Sequence, residues 1–111
     1  MVFVTTEILV RQGDIERFLT ACGTALRHIT DAPGCRFARL TRSVGDPSRF
    51  VVLSEWDCLE SFHQGFCGSE HFVRWREAVS RFFLEPPRVE QLVEAQDTVP
   101  LSHEGLTGYE G

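Results

Sequence analysis

Between positions 56 and 76 the chain carries Trp56, Phe62, Phe72, Trp75 and Arg76, two indoles and two phenyl rings within reach of one guanidinium. An arginine among aromatic rings can hold a carboxylate, phenolate or enolate and can stack on a flat ring. The same residues can instead form a plain aromatic core, with Arg76 reaching solvent to pair with Glu77 or Glu55. A second group, Cys58, His63, Cys67 and His71, is spaced C-x4-H-x3-C-x3-H. On one unbroken helix His63, Cys67 and His71 would share a face, and soft N and S donors suit zinc. Zinc modules, however, usually begin with cysteines two to four residues apart. Gly65 and Gly68 also favour a helix break, so the reading is two buried cysteines, two partly exposed histidines and no metal. Glu7, His71 and His28 are candidate proton acceptors. Glu7 shares a strand face with Phe3 and Thr5, and a sheltered carboxylate there could take a phenolic proton. The competing expectation is an ion pair from Glu7 to Arg39 or Arg42 on a neighbouring strand. His28 falls on the polar side of its helix and reads as solvated. Nothing matches a nucleophilic triad, a P-loop or a dinucleotide fingerprint.

The elements that must position these residues follow from periodicity. Val2 to Val10 is rich in β-branched residues and ends at Arg11-Gln12-Gly13, a first strand. Asp14 is placed to cap a helix whose apolar stripe is Ile15, Phe18, Leu19, Cys22, Leu26 and Ile29. Gly23 interrupts that helix and is read as a point of close packing on the sheet. Asp31-Ala32-Pro33-Gly34 stops it. Cys35 to Val44 and Arg49 to Trp56 flank the turn Gly45-Asp46-Pro47-Ser48 as a hairpin. Asp57 to Phe66 is a short helix broken near Gly65 or Gly68. Ser69 caps a longer helix to about Phe83, with Phe72, Trp75, Val79, Phe82 and Phe83 inward. Pro86-Pro87 forbids its continuation, and Arg88 to Ala95 is a last strand. The order β-α-β-β-α-β is the ferredoxin-like α+β unit, a four-stranded antiparallel sheet with two helices on one face.

Such a sheet usually alternates apolar and polar residues because one face is wet. Here Phe50, Val52 and Trp56 oppose Val51 and Leu53, and Val2, Val4, Ile8 and Val10 oppose Phe3 and Leu9. The helices can bury one set. The other would leave an apolar patch larger than monomers usually expose. A homodimer with two sheets face to face, a dimeric α+β barrel, is therefore expected, the alternative being a tail folded over the open face. Residues 1–95 read as one domain and 96–111 as a polar, glycine-rich tail, flexible or packed on the dimer partner.

At 111 residues the chain fits one domain with a single core. A net charge of −5 with scattered arginines argues against nucleic acid or an anionic membrane surface. No apolar run approaches the ~20 residues of a membrane span, and no leader pattern precedes the first strand. The expectation is a cytoplasmic protein whose four cysteines are free, buried and reduced.

The order of parts, with Glu55-Trp56 closing a strand and His71-Phe72 opening a helix about fifteen residues later, resembles the antibiotic biosynthesis monooxygenase (ABM) family of small dimeric ferredoxin-like proteins, from Phe3 to Ala95. In members that oxidise polyketide phenols to quinones, a bound phenolate passes an electron to O₂ without metal, flavin or haem. The residues implicated there are an Asn on the third strand, a Trp at its end, a Tyr on the following helix and an Arg on the next. Registered on the tryptophan, Trp56 and Arg76 match, while Val52 stands at the Asn position and Phe62 at the Tyr position. The haem-degrading branch fits worse: its three positions fall near Glu7, Gly65 and Arg76, and none is kept. The resemblance implies a cofactor-independent monooxygenase acting with O₂ on a small aromatic, phenolic or quinonoid substrate. Trp56, Arg76 and Glu7 would be its catalytic residues, with Phe62, Phe72, Trp75 and His71 against the substrate. The alternatives are a non-catalytic small-molecule-binding dimer and an isomerase or cyclase of the same barrel type.

Overall fold

The computed structural model describes residues 1–95, so the reading of residues 96–111 as a tail lies outside it. Four strands form one antiparallel sheet: β1 (Val2–Leu9), β2 (Cys35–Arg42), β3 (Arg49–Trp56) and β4 (Arg88–Val93), in the spatial order β2-β3-β1-β4. Two helices, α1 (Ile15–Thr30) and α2 (Glu70–Val79), connect them in the ferredoxin-like order. The strand ends fall one or two residues short of their sequence limits: Val10 leaves β1 to bridge Phe83, and β2 stops before Ser43.

Strict alternation along β3 puts Phe50, Val52, Ser54 and Trp56 in the core, with their neighbours half-buried on the other side. On β1 the matching core residues are Val2, Val4 and Ile8. The helices pack on this face. The pairing register sets Phe3 beside Glu55 and Leu92, and Thr5 beside Leu53 and Glu90, on the opposite face. No described element of this chain covers that second face. Its apolar members are Phe3, Leu9, Phe37, Val51, Leu53 and Leu92.

α1 buries Ile15, Phe18, Cys22, Ala25 and Ile29. Leu19, inward by the sequence pattern, is 37% exposed, while Ala25, outside that pattern, is buried, so the inward face is centred further round the helix. Asp14 makes no capping hydrogen bond. It ends a short 3-10 turn, Gln12–Asp14, and pairs with Arg17 and Arg11 instead. Ser69 does cap α2, its hydroxyl accepting from the His71 N–H at 3.1 Å. α2 is shorter than its pattern suggests and passes into a 3-10 turn, Ser80–Phe82, before the two prolines.

Two glycines behave oppositely. Gly34 follows α1 at φ +91°, and a Cβ built on it would lie 2.5 Å from the Ser61 hydroxyl oxygen. Only glycine lets the α1–β2 turn adopt this conformation and lets the segment after β3 pack against it. Gly23, read as a close-packing point, is exposed with nothing within 4 Å of a Cβ. Gly23→Ala should therefore stabilise the fold by about 1 kcal/mol through helix propensity. Gly34→Ala should destabilise it by about 1–3 kcal/mol through strain and crowding. Urea denaturation of the two variants checks both signs.

Candidate active site

The segment between β3 and α2 shapes the site. In place of a regular helix from Asp57, residues Ser61–Phe66 form a π-helical turn, its i→i+5 character visible in the Cys67 N–H donating to the Phe62 carbonyl at 2.9 Å. Such turns are uncommon and concentrate at functional sites. The wider turn sets Phe62 and Phe66 side by side, ring centroids 6.1 Å apart, and both close on Trp56 at 5.6 and 5.4 Å. Phe66 meets Phe72 edge-on at 5.4 Å, and the Arg76 guanidinium lies 5.8 Å from the Phe72 ring. A continuous aromatic wall thus runs from the end of β3 to the cation of α2.

Behind that wall is a cavity of about 700 Å³, within the range of small-molecule sites. The sheet supplies its floor, since Ser54 and Gln91 both stand beside Val4, and Val52 and Val89 both stand beside Thr6. Trp56, Phe62, Phe66, Phe72, Trp75 and Arg76 form one side, and Phe83, Glu85, Pro86 and Pro87 the other. All six β4 residues are exposed. The helices therefore leave the outer strand unroofed, and the cavity opens there.

Trp56 is fully buried, and its indole N–H donates to the Ser54 hydroxyl at 2.9 Å. It is a wall whose polar edge is already engaged. Arg76 is exposed beyond its contact with Phe72, and among the described residues it has no ion pair, neither to Glu77 nor to Glu55. Its charge is available to a ligand. Cys67 also lines the cavity, and burial raises its thiol above the ordinary range, so it is neutral near pH 7.

Five of the expected residues, Trp56, Phe62, Phe72, Trp75 and Arg76, share this one cavity. His71 does not line it; it stands in the first turn of α2. Glu7 lies on the opposite face of the sheet, ion-paired to Arg49 rather than to Arg39 or Arg42. The pairing register explains this: Arg49 stands opposite Leu9, on the same face as Glu7 and two residues along β1. The C-x4-H-x3-C-x3-H residues are not drawn together, and no group of three or more His, Cys, Asp or Glu among the described residues could hold a metal ion. All four cysteines are free. Cys22 is buried, its thiol pushed up to about 12 by desolvation. Cys58, contrary to expectation, is exposed, and a hydrogen bond with Ser61 lowers its thiol.

Sequence reading missed the polar members of the cavity: Thr6, Ser54, Ser80, Glu85, Gln91 and, as a wall residue, His63. The His63 Nε2 is 3.1 Å from the Gln91 side-chain oxygen. Alternation along β4 was the available signal, since Val89, Gln91 and Val93 share a parity, but which parity faces the helices depends on a register the sequence leaves open.

Fold and cavity together define a small ferredoxin-like protein with an aromatic-walled chamber under the outer strand. Residues 1–78 match the family described as antibiotic biosynthesis monooxygenase, and the chain belongs to that family. The uncharacterized protein YczJ of Bacillus subtilis is 27% identical over 81 residues, 73% of this chain and 85% of that one. A Bordetella bronchiseptica structure, classed provisionally as an antibiotic biosynthesis monooxygenase, superposes with a TM-score of 0.79 at 28% identity, covering 85% of this chain and 96% of its own. SnoaB from Streptomyces nogalater, a cofactor-independent oxygenase solved as a point mutant, gives 0.71 at 16% identity, covering 89% and 96%, a likeness of fold. Among the described residues no helix is long and apolar enough to cross a membrane.

Proposed function

We propose that this chain is a cofactor-independent monooxygenase that oxidises a small phenolic or quinonoid aromatic compound with O₂. The observation that carries the reading is one cavity of about 700 Å³ walled by Trp56, Phe62, Phe66, Phe72 and Trp75, with the Arg76 guanidinium, free of ion pairs among the described residues, at its side. Flat rings favour a flat ligand, and a fixed cation favours a ligand that is or becomes an anion. In the reaction a phenolate gives electrons to O₂, a C–O bond forms, and loss of water leaves a new carbonyl. The ring gains one oxygen atom and the second leaves as water. Arg76 holds the anionic oxygen, and the aromatic wall excludes water from the reduced oxygen species. Val52 and Phe62 offer no hydrogen bond where the phenol-oxidising relatives use Asn and Tyr. Thr6 on the floor and Ser80 are the hydroxyls left to orient the substrate, since the Ser54 hydroxyl accepts from Trp56 and donates to the Val4 carbonyl.

We also propose that the uncovered sheet face meets its copy in a second subunit. Pairing would shelter Phe3, Val51, Leu53 and Leu92 and would carry the Glu7–Arg49 pair into the barrel interior.

Aerobic incubation with hydroxynaphthoquinols and anthrones, following O₂ uptake and absorbance, tests the activity. Arg76→Ala should lower kcat/KM at least a hundredfold, about 2.7 kcal/mol of transition-state stabilisation. Tight binding with no O₂ consumed would instead identify a carrier, and product formation without O₂ an isomerase. Leu53→Arg, at the centre of the open face, should turn a dimer into a folded monomer in sedimentation at micromolar concentration. A wild-type chain that sediments as a monomer would refute the pairing.

A further inference from the structure

The aromatic wall and Arg76 can hold a phenolate, but a phenol arrives protonated, so something must take the proton. The ionisable groups around the cavity are few. Arg76 cannot accept a proton, and Cys67 is a weak acceptor kept neutral by burial. β1, β3 and α1 contribute only neutral side chains: Val4, Thr6, Val52, Ser54, Trp56 and Ile29. The charged residues of β4, Arg88 and Glu90, stand beside Glu7 and Thr5 on the far face. Glu85 and His63 remain. An ordinary carboxylate is a weaker base than imidazole, and of the two only His63 is hydrogen-bonded to the cavity floor among the described residues.

His63 has the required setting. It projects from the π turn to the rim of the cavity, packs against Phe62 at 5.4 Å, and meets Gln91 across the gap to β4 at 3.1 Å. Gln91 belongs to the floor row with Val4 and Ser54, so a sheet position fixes the ring's orientation. When Nε2–H donates to the Gln91 oxygen, Nδ1 carries the lone pair. No second hydrogen bond or ion pair of His63 exists among the described residues. The ring is also exposed, so a proton collected from the cavity can pass to water.

Resting on the reading of this cavity as a phenol site, we propose that His63 is its proton acceptor and that Gln91 positions the imidazole. The phenolic O–H bond breaks, its electron pair stays on oxygen beside Arg76, and the proton goes to the free ring nitrogen. O₂ then takes two electrons from the phenolate as a C–O bond forms. The resulting peroxide anion receives a proton from the imidazolium. Finally the C–H and O–O bonds at that carbon break, water leaves, and a carbonyl remains.

The test uses the intact protein and a nitro-substituted naphthol, whose ionised form absorbs visible light, titrated between pH 4 and 9. Bound to the wild type, the probe should ionise at lower pH than in water. In His63→Gln the midpoint should rise by about one pH unit, a tenfold loss, and kcat/KM for O₂ uptake should fall roughly a hundredfold. His63 is exposed, so the substitution spares the core. An unchanged midpoint in His63→Gln, or a wild type that leaves the probe's ionisation as in water, would overturn the proposal. A His63-dependent shift without O₂ uptake on any substrate would keep His63 as the acceptor and remove the monooxygenase reading instead.

Discussion

Coverage of the sheet governs this molecule. β1 and β3 bury Val4, Ile8, Phe50, Val52 and Trp56 beneath the helices, while every residue of β4 stays exposed. A strand that is paired through its backbone yet unroofed leaves a hollow between its inner face and the nearest helix. The π turn deepens that hollow by swinging Phe62 and Phe66 onto Trp56, and the chain from Phe83 to Pro87 closes its far side. Packing usually removes such space, since interiors approach crystal density. A cavity of about 700 Å³ that persists beside a tightly packed core is best understood as room for a ligand.

The chemistry follows from what lines that space. Val52 and Phe62 give the cavity an apolar centre, and the Trp56 N–H is engaged by Ser54. Polar groups stand at the perimeter: Arg76 over the Phe72 ring, and His63 tied to Gln91. An apolar centre with ionic groups at its margin favours a substrate whose ring lies inside and whose oxygen lies at the rim. Arg76 makes no ion pair among the described residues, so binding need not first break one.

Much of this was legible in the sequence, for definite reasons. Apolar, β-branched runs bounded by turn residues marked the strands, and the Ile15–Phe18–Leu19–Cys22–Leu26–Ile29 stripe marked α1, though Leu19 lies at its exposed margin. Pro86-Pro87 and the Ser69 cap fixed the limits of α2 to within a few residues. Trp56 and Arg76 could be set together because the strand ends at one and the next helix carries the other. What escaped depended on tertiary register. Glu7 chose Arg49 because of strand pairing that no local pattern encodes. Gln91 faces the cavity because of the parity of β4. A π turn stands in place of a regular helix, and Gly34 lets Ser61 at its start pack closely against the α1–β2 turn. The C-x4-H-x3-C-x3-H spacing shows the converse: regular along the chain, it is scattered by that turn, with Cys58 outside, His63 on Gln91 and His71 beyond the cavity.

The proposed binding place for an aromatic anion is the space under β4. Val89 lines it from the edge strand and is half-exposed, so a larger side chain there can fill the cavity without disturbing the core. The direct measurement is a titration of Val89→Trp and wild type with the nitronaphthol, following its absorbance, with circular dichroism to verify folding. Kd should rise at least tenfold in the folded variant; affinity equal to that of the wild type would mean that the ligand binds elsewhere.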